Sequence, residues 1–155
     1  MSVKVGLISD THGLLRPQAL EALQGCDYLI HGGDIGNPQI LETLSAIAPL
    51  TVVRGNNDTD DAWAADVPHE AVLRVGKLAI YVTHILADVP ETLPPDVAVV
   101  VTGHSHKPLQ QTRHGVLFIN PGSAGPRRFK LPISVGVLYI DEHEVRGELI
   151  ELALS

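Results

Sequence analysis

The chain is poor in cysteine, aromatic residues and long apolar runs, and each scarcity removes a class of protein. Its 155 residues include one cysteine, Cys26, so no internal disulfide can form and a disulfide-stapled secreted fold is excluded. Aromatic residues make up 4%, so the core is built from Val, Leu, Ile and Ala. No apolar run approaches the roughly 18 residues of a membrane span. The opening, "MSVKVGLISD", has no basic segment followed by a long apolar stretch. The sequence thus predicts neither a signal peptide nor a membrane helix, and a cytoplasmic protein. Basic residues are also scarce: 11 Lys and Arg face 18 Asp and Glu, for a formal charge of −7. Polyanion binding draws on a basic surface, so nucleic acid is not a favoured partner. The one basic cluster, "PRRFK" with Arg127, Arg128 and Lys130, reads as a solvated loop or a local phosphate contact.

What remains is a globular composition, 45% hydrophobic and 19% charged, at a length that suits a single domain spanning 1–155. "VKVGLISD" is a β-branched run ending in a polar turn. "RPQALEALQG" has Leu20 and Leu23 at helical spacing, Pro17 near its start and Gly25 after its end. "CDYLIHGGD" predicts a second strand, "NPQILETLSAIAP" a helix capped by Asn37 with Pro38 in its first turn, and "LTVVRGNND" a third strand. That alternation is the grammar of a parallel sheet. Further on, "EAVLRV" and "KLAIYVTH" flank Gly76 as a hairpin, "VAVVVTGH" is a buried strand, and "LQQTRHGVLFIN" is a strand pair around His114-Gly115. "ISVGVLYID" and "VRGELIEL" close the chain as an antiparallel pair. The fold class is therefore α/β, with two packed sheets and helices outside.

The strand ends share a pattern. Five apolar runs each deliver metal-ligand residue types just past their last apolar position: Asp10 and His12; Asp34; Asn56, Asn57 and Asp58; His84; His104 and His106. Sites in open α/β sheets form outside the carboxyl ends of strands, which brings these residues to one place. Carboxylate, imidazole and amide oxygen suit Mn, Fe, Zn, Ni or Co, and no thiolate is offered. Asp10, His12, Asp34, Asn56, His84, His104 and His106 are too many for one tetrahedral ion and suit two ions sharing a bridge, an arrangement that clamps the attacking and leaving oxygens of a displacement at phosphorus. The i, i+2 spacing of Asp10/His12 and His104/His106 would aim each pair one way in extended chain. Asp58 reads either as a cap on the third strand or, the favoured reading, as the acceptor that a metal-binding imidazole needs on its other nitrogen. His31, just before "GGD", divides between a place behind the ligands and ordinary polar packing. Gly32, Gly33, Gly55 and Gly103 predict sharp turns beside the ions. Cys26 reads as a small buried residue. Trp63 is either an anchor for its loop or a wall of the substrate mouth, and His69, His114 and His143 are assigned to the surface.

In order, "DTH", "GD", "GNND", "TH" and "GHSH" resemble the motifs of the calcineurin-like metallophosphoesterases, and "NPGS" (Asn120 to Ser123) those of their small bacterial and archaeal phosphodiesterase branch. The resemblance runs from Asp10 to about Leu131. It implies a four-layer α/β/β/α sandwich and two divalent ions per chain, with Mn the first choice and Ni, Fe, Co or Zn as alternatives. Asp10, His12 and His106 would hold one ion, Asn56, His84 and His104 the other, with Asp34 between them and a shared hydroxide as nucleophile. The substrate implied is a small phosphate ester, most often a diester, and self-association is common in the branch. Many relatives carry histidine at the position of Asn57, where it contacts phosphate and protonates the leaving group. An amide has no such proton to give. Asn57 is therefore assigned a hydrogen bond to a phosphoryl oxygen. Ile85-Leu86 stand where relatives often read glycine-histidine, which makes the mouth more apolar. The contrasting reading is a scaffold, since some members of the family lost their metal ligands and serve as interaction modules. Here all seven ligand positions are kept.

Overall fold

The computed structural model describes residues 2–56, 58, 62–127, 130–142 and 144–153. Strand β1 (Val3–Ile8) leads to helix α1 (Pro17–Ala22), β2 (Tyr28–His31), helix α2 (Pro38–Ser45) and β3 (Leu50–Val52). Then come β4 (Glu70–Val75), β5 (Leu78–Thr83), β6 (Val97–Val101), β7 (Leu109–Arg113), β8 (Val116–Asn120), β9 (Ser134–Ile140) and β10 (Val145–Glu151). Every predicted helix and strand forms. At the start of α2 the Asn37 side chain accepts from the Ile40 amide at 3.2 Å, and Pro38 fills the first helical position, where no amide donor is needed. Ile40 and Leu44, one turn apart, are the buried face of α2.

Two mixed sheets result. One has the order β10-β9-β1-β2-β3, with β1, β2 and β3 parallel and β9 antiparallel to β1. The other has the order β4-β5-β6-β8-β7, with β5, β6 and β8 parallel. The β7–β8 hairpin turns through His114 (φ 50°) and Gly115 (φ 80°), the paired positive angles that match strand twist in a two-residue turn.

The alternation of side chains divides the core. On β1, Val5 and Leu7 enter the cluster between the sheets, with Ile30, Ile80, Val82, Val99, Val101 and Leu138. Ile8 points the other way, toward Ala19, Leu23, Ile40 and Leu44 of the helical side. Gly6 faces that side too, and a Cβ there would come within 2.7 Å of both Leu23 and Leu29. On β6 the register slips, so that Ala79 pairs with Val97 but Ile80 with Val99. The extra residue turns Val97 outward, where it joins Ala79, Tyr81 and Val100. The outer layers are unequal. The two α-helices cover the first sheet, whereas Val89 and Leu93, from the segment after a 3₁₀ turn at Leu86–Asp88, pack on the second. Among the described residues no α-helix lies on that side, so the fourth layer of the sandwich is thin.

Candidate metal centre

The parallel strands β1, β2, β3, β5 and β6 end at one edge, and the loops that follow carry the predicted residues. The ligand atoms of Asp10, His12 and His106 lie within 4.8 Å of one another, and so do those of Asp34, His84 and His104. Asp34 stands between the groups: its Oδ2 is 3.2 Å from His84 Nε2 and 3.7 Å from His12 Nε2. Asn56 Oδ1 is 3.1 Å from His84 Nε2, and His12 Nε2 is 3.2 Å from His106 Nε2. All seven predicted ligand residues thus converge. Asn57 lies outside the described residues.

The backbone reaches this arrangement differently from the expectation of extended chain. Asp10 (φ 55°), His12 (φ 44°), Asp34 (φ 57°), His104 (φ 74°) and His106 (φ 63°) are all left-handed. Among the described residues only His114, in its hairpin turn, joins them as a non-glycine with positive φ. Each costs on the order of 1–3 kcal/mol, and such strain gathers at functional sites. The i, i+2 pairs are therefore set by consecutive tight turns. One consequence is that His104 and His106 serve different groups.

The glycines also divide. Of the four predicted to turn the chain, only Gly33 is left-handed (φ 105°); a Cβ on it would sit 2.6 Å from His84 Nδ1. Gly55 and Gly103 supply room instead, because a Cβ would strike the Asp34 side chain in one case and approach Asp10 Oδ2 to 2.9 Å in the other.

The donor and acceptor inventory fits cations. His84 Nδ1 lies 2.7 Å from the Gly32 carbonyl oxygen and so carries the proton that it donates. Its Nε2 then faces two more oxygens, on Asn56 and Asp34, an arrangement that takes either a second ring proton or a cation held between them. Metal-bound histidine commonly uses its other N–H in this way. Asp10 is fully buried; its Oδ2 accepts from Ser9 Oγ at 2.8 Å and from the His104 amide at 3.1 Å. Its Oδ1 has no hydrogen-bond donor, and faces Nε2 of His106 at 3.5 Å, of His84 at 3.9 Å and of His12 at 4.0 Å. An acceptor with no donor, turned toward imidazole nitrogens, is the signature of a place for an ion. Burial pushes the Asp10 carboxyl up to about 6, against the pull of His84 and the Ser9 hydrogen bond. Burial alone would lower the His84 pKa, but the Asp34 hydrogen bond, Asp10 and the Gly32 carbonyl outweigh it and raise it.

The supporting residues correct the expectation for Asp58. Among the described residues Asp58 meets no histidine ring: its buried carboxylate accepts from the amides of Ile35 (3.0 and 3.1 Å), Gly36 (3.3 Å) and Gly55 (3.0 Å). It ties the Asp34 loop to the loop of Asn56. "NPGS" is a brace as well as a turn. Asn120 Nδ2 donates to the Gly103 carbonyl at 3.0 Å and Ser105 Oγ at 3.1 Å, and Ser123 Oγ donates to the Asp10 carbonyl at 3.0 Å. Ser9 and Thr11 were missed as supports because single hydroxyls carry no spacing signal, whereas Asn120 and Ser123 are marked by the "NPGS" motif. His31 is fully buried, and burial holds its pKa down at about 3. Trp63 packs against the helical-side core and so anchors its segment. Cys26 is buried, with its thiol pushed up by that burial. His69 and His114 are exposed, and His143 lies outside the described residues.

Comparison with known proteins supplies the family. The profile of the calcineurin-like phosphoesterase superfamily domain matches residues 3–143. The chain belongs to that superfamily. A probable metallophosphoesterase of Methanothermobacter thermautotrophicus is 29% identical over 94% of this chain and 91% of its own length. Phosphodiesterase YfcE of Escherichia coli is also 29% identical, over 88% of this chain and 87% of its own. The solved structure of that E. coli phosphoesterase superposes with a TM-score of 0.70, covering 92% of this chain and 91% of its own at 28% identity. Vacuolar protein sorting 29 from Cryptosporidium parvum shares the fold, with a TM-score of 0.74 at 21% identity and 99% coverage of both chains. No helix among the described residues is long and apolar enough to cross a membrane.

Proposed function

We propose that this chain, as one domain, is a metal-dependent phosphodiesterase whose centre holds two divalent ions. The observation that carries this reading is the pair of three-residue groups with Asp34 between them. Asp10, His12 and His106 would hold one ion, and His84, His104 and Asn56 the other, with Asp34 contributing to both. Ions so placed supply a nucleophile near neutral pH, by lowering the pKa of water from about 15.7 to about 7, and a clamp on the oxygens of the displacement. Asn120, Ser123 and Asp58 hold the three loops still while charge moves at phosphorus. Asn57 would donate a hydrogen bond to a phosphoryl oxygen and leave the departing alkoxide unprotonated. Esters with good leaving groups are then the better substrates.

A cavity of about 450 Å³, lined in part by Arg54, Asn56, Tyr81, His84, Ile85 and Asp88, adjoins the second group and would take one ester arm. Ile85 in its wall favours a substrate with an apolar portion. The single cysteine, Cys26, which has no second cysteine in the chain to pair with, supports a reducing compartment. The test is hydrolysis of bis-p-nitrophenyl phosphate by metal-stripped protein, then with Mn²⁺, Ni²⁺, Fe²⁺, Co²⁺ or Zn²⁺ restored, beside Asp34→Asn. Activity that returns with metal and is lost in the variant supports the proposal. Two bound ions with no turnover of any diester would favour a scaffold.

A further inference from the structure

His31 sits at the end of β2, fully buried, with both ring nitrogens engaged. The Gly33 amide donates to Nδ1 at 3.0 Å. Nδ1 is thus the acceptor, and the ring proton is on Nε2, 3.0 Å from Thr11 Oγ1. The Thr11 hydroxyl in turn donates a hydrogen bond to the Ile35 carbonyl oxygen at 2.7 Å. The two contacts end in different places. Thr11 lies between Asp10 and His12, and Gly33 immediately precedes Asp34.

We infer that His31 is a positioning residue whose two nitrogens support the two ion sites separately, Nε2 through Thr11 for the Asp10/His12/His106 group and Nδ1 through Gly33 for the Asp34/His84/His104 group. This rests on the two-ion reading above. The left-handed backbone at Asp10, His12 and Asp34 needs such external restraint, since each residue would relax to negative φ if its loop were free. The Gly33-to-Nδ1 bond closes the same ring that an asparagine makes with the amide two residues on, so asparagine reproduces it. The Thr11 contact is made from the far nitrogen of the ring, which only a side chain as long as glutamine reaches with an N–H. His31→Asn therefore keeps the Gly33 link and cuts the Thr11 link, and His31→Gln does the reverse.

The experiment isolates one site at a time. Mn²⁺ binding is followed by loss of the free-ion electron paramagnetic resonance signal, in His104→Ala, which leaves the first group intact, and in His106→Ala, which leaves the second. His31→Asn is expected to weaken Mn²⁺ about tenfold or more in the His104→Ala background, as removal of an outer support does, and less than threefold in the His106→Ala background. His31→Gln is expected to show the opposite order. Circular dichroism confirms folding. Should either ring replacement unfold, Thr11→Val retains the imidazole but also removes the bond to the Ile35 carbonyl beside Asp34, so it is expected to weaken the first site more than the second. Equal losses at both sites in each variant, or none, would overturn the division of labour while leaving the two-ion reading standing. Failure of the unmutated chain to take up two Mn²⁺ would remove that reading, and this inference with it.

Discussion

Asp10→Asn should make the metal-free protein more stable at neutral pH while destroying its affinity for metal. The reasoning starts from the folded-state pKa of about 6, against an ordinary 3.8, which burial imposes. A carboxyl whose folded pKa is raised binds more protons folded than unfolded. It is neutral in both states below about 3.8, and its cost to stability grows as pH rises from there to about 6 and then levels off. About two units at about 1.4 kcal/mol each come to roughly 3 kcal/mol of destabilisation at pH 7. The amide fits the same place. Its oxygen can take the position of Oδ2 and keep the Ser9 and His104 hydrogen bonds, while its NH₂ takes the position of Oδ1, which has no donor and faces His106 Nε2 at 3.5 Å. Urea unfolding with chelator present should show Asp10→Asn more stable than the unmutated chain by about 2–3 kcal/mol at pH 8, with no such gain at pH 3.5. Added Mn²⁺ should then stabilise the unmutated chain and leave the variant unmoved. A variant that is less stable at pH 8, or a difference that does not change with pH, would refute the reasoning.

Gly55→Ala should displace Asp34, because the new Cβ strikes its carboxylate; Mn²⁺ affinity should fall at least tenfold, measured by calorimetry, and unchanged affinity would show that the loop yields freely. Asn57→His should raise turnover of a diester with a poor leaving group more than that of bis-p-nitrophenyl phosphate, and an equal change on both would remove the motive for a proton donor there. Asn120→Ala leaves the buried Gly122 amide without its acceptor and removes one of the two donors to the Gly103 carbonyl, and should cost about 1–3 kcal/mol by denaturant unfolding; a loss well below that would mean water replaces the side chain.

The strand ends were legible because burial and chemistry alternate sharply there. "GLISD", "LIHGGD" and "VVVTGH" pass from apolar residues to ligand types within two to four positions. The helices were legible for a similar reason, with Pro17, Asn37 and Pro38 marking their starts. Strand neighbours were not, because a period of two says which face is buried and nothing about which strand lies alongside. That β6 pairs with β8 while β7 takes the edge is decided by packing between the sheets. The left-handed turns were hidden as well. Asp and His do not declare positive φ as glycine does, and only the assembled centre imposes it on Asp10 and His106. The role of Asp58 was misjudged because a carboxylate next to ligands fits equally well with a ring N–H or with amides, and the bend of the Asp34 loop presents amides.

The central claim is that two ions share Asp34. Crystals grown with Mn²⁺ and measured at the manganese absorption edge test it most directly. The account predicts two anomalous peaks about 3.5–4 Å apart, one against Asp10, His12 and His106, the other against Asn56, His84 and His104, with the Asp34 carboxylate reaching both. A single peak, or two that do not share Asp34, would contradict it.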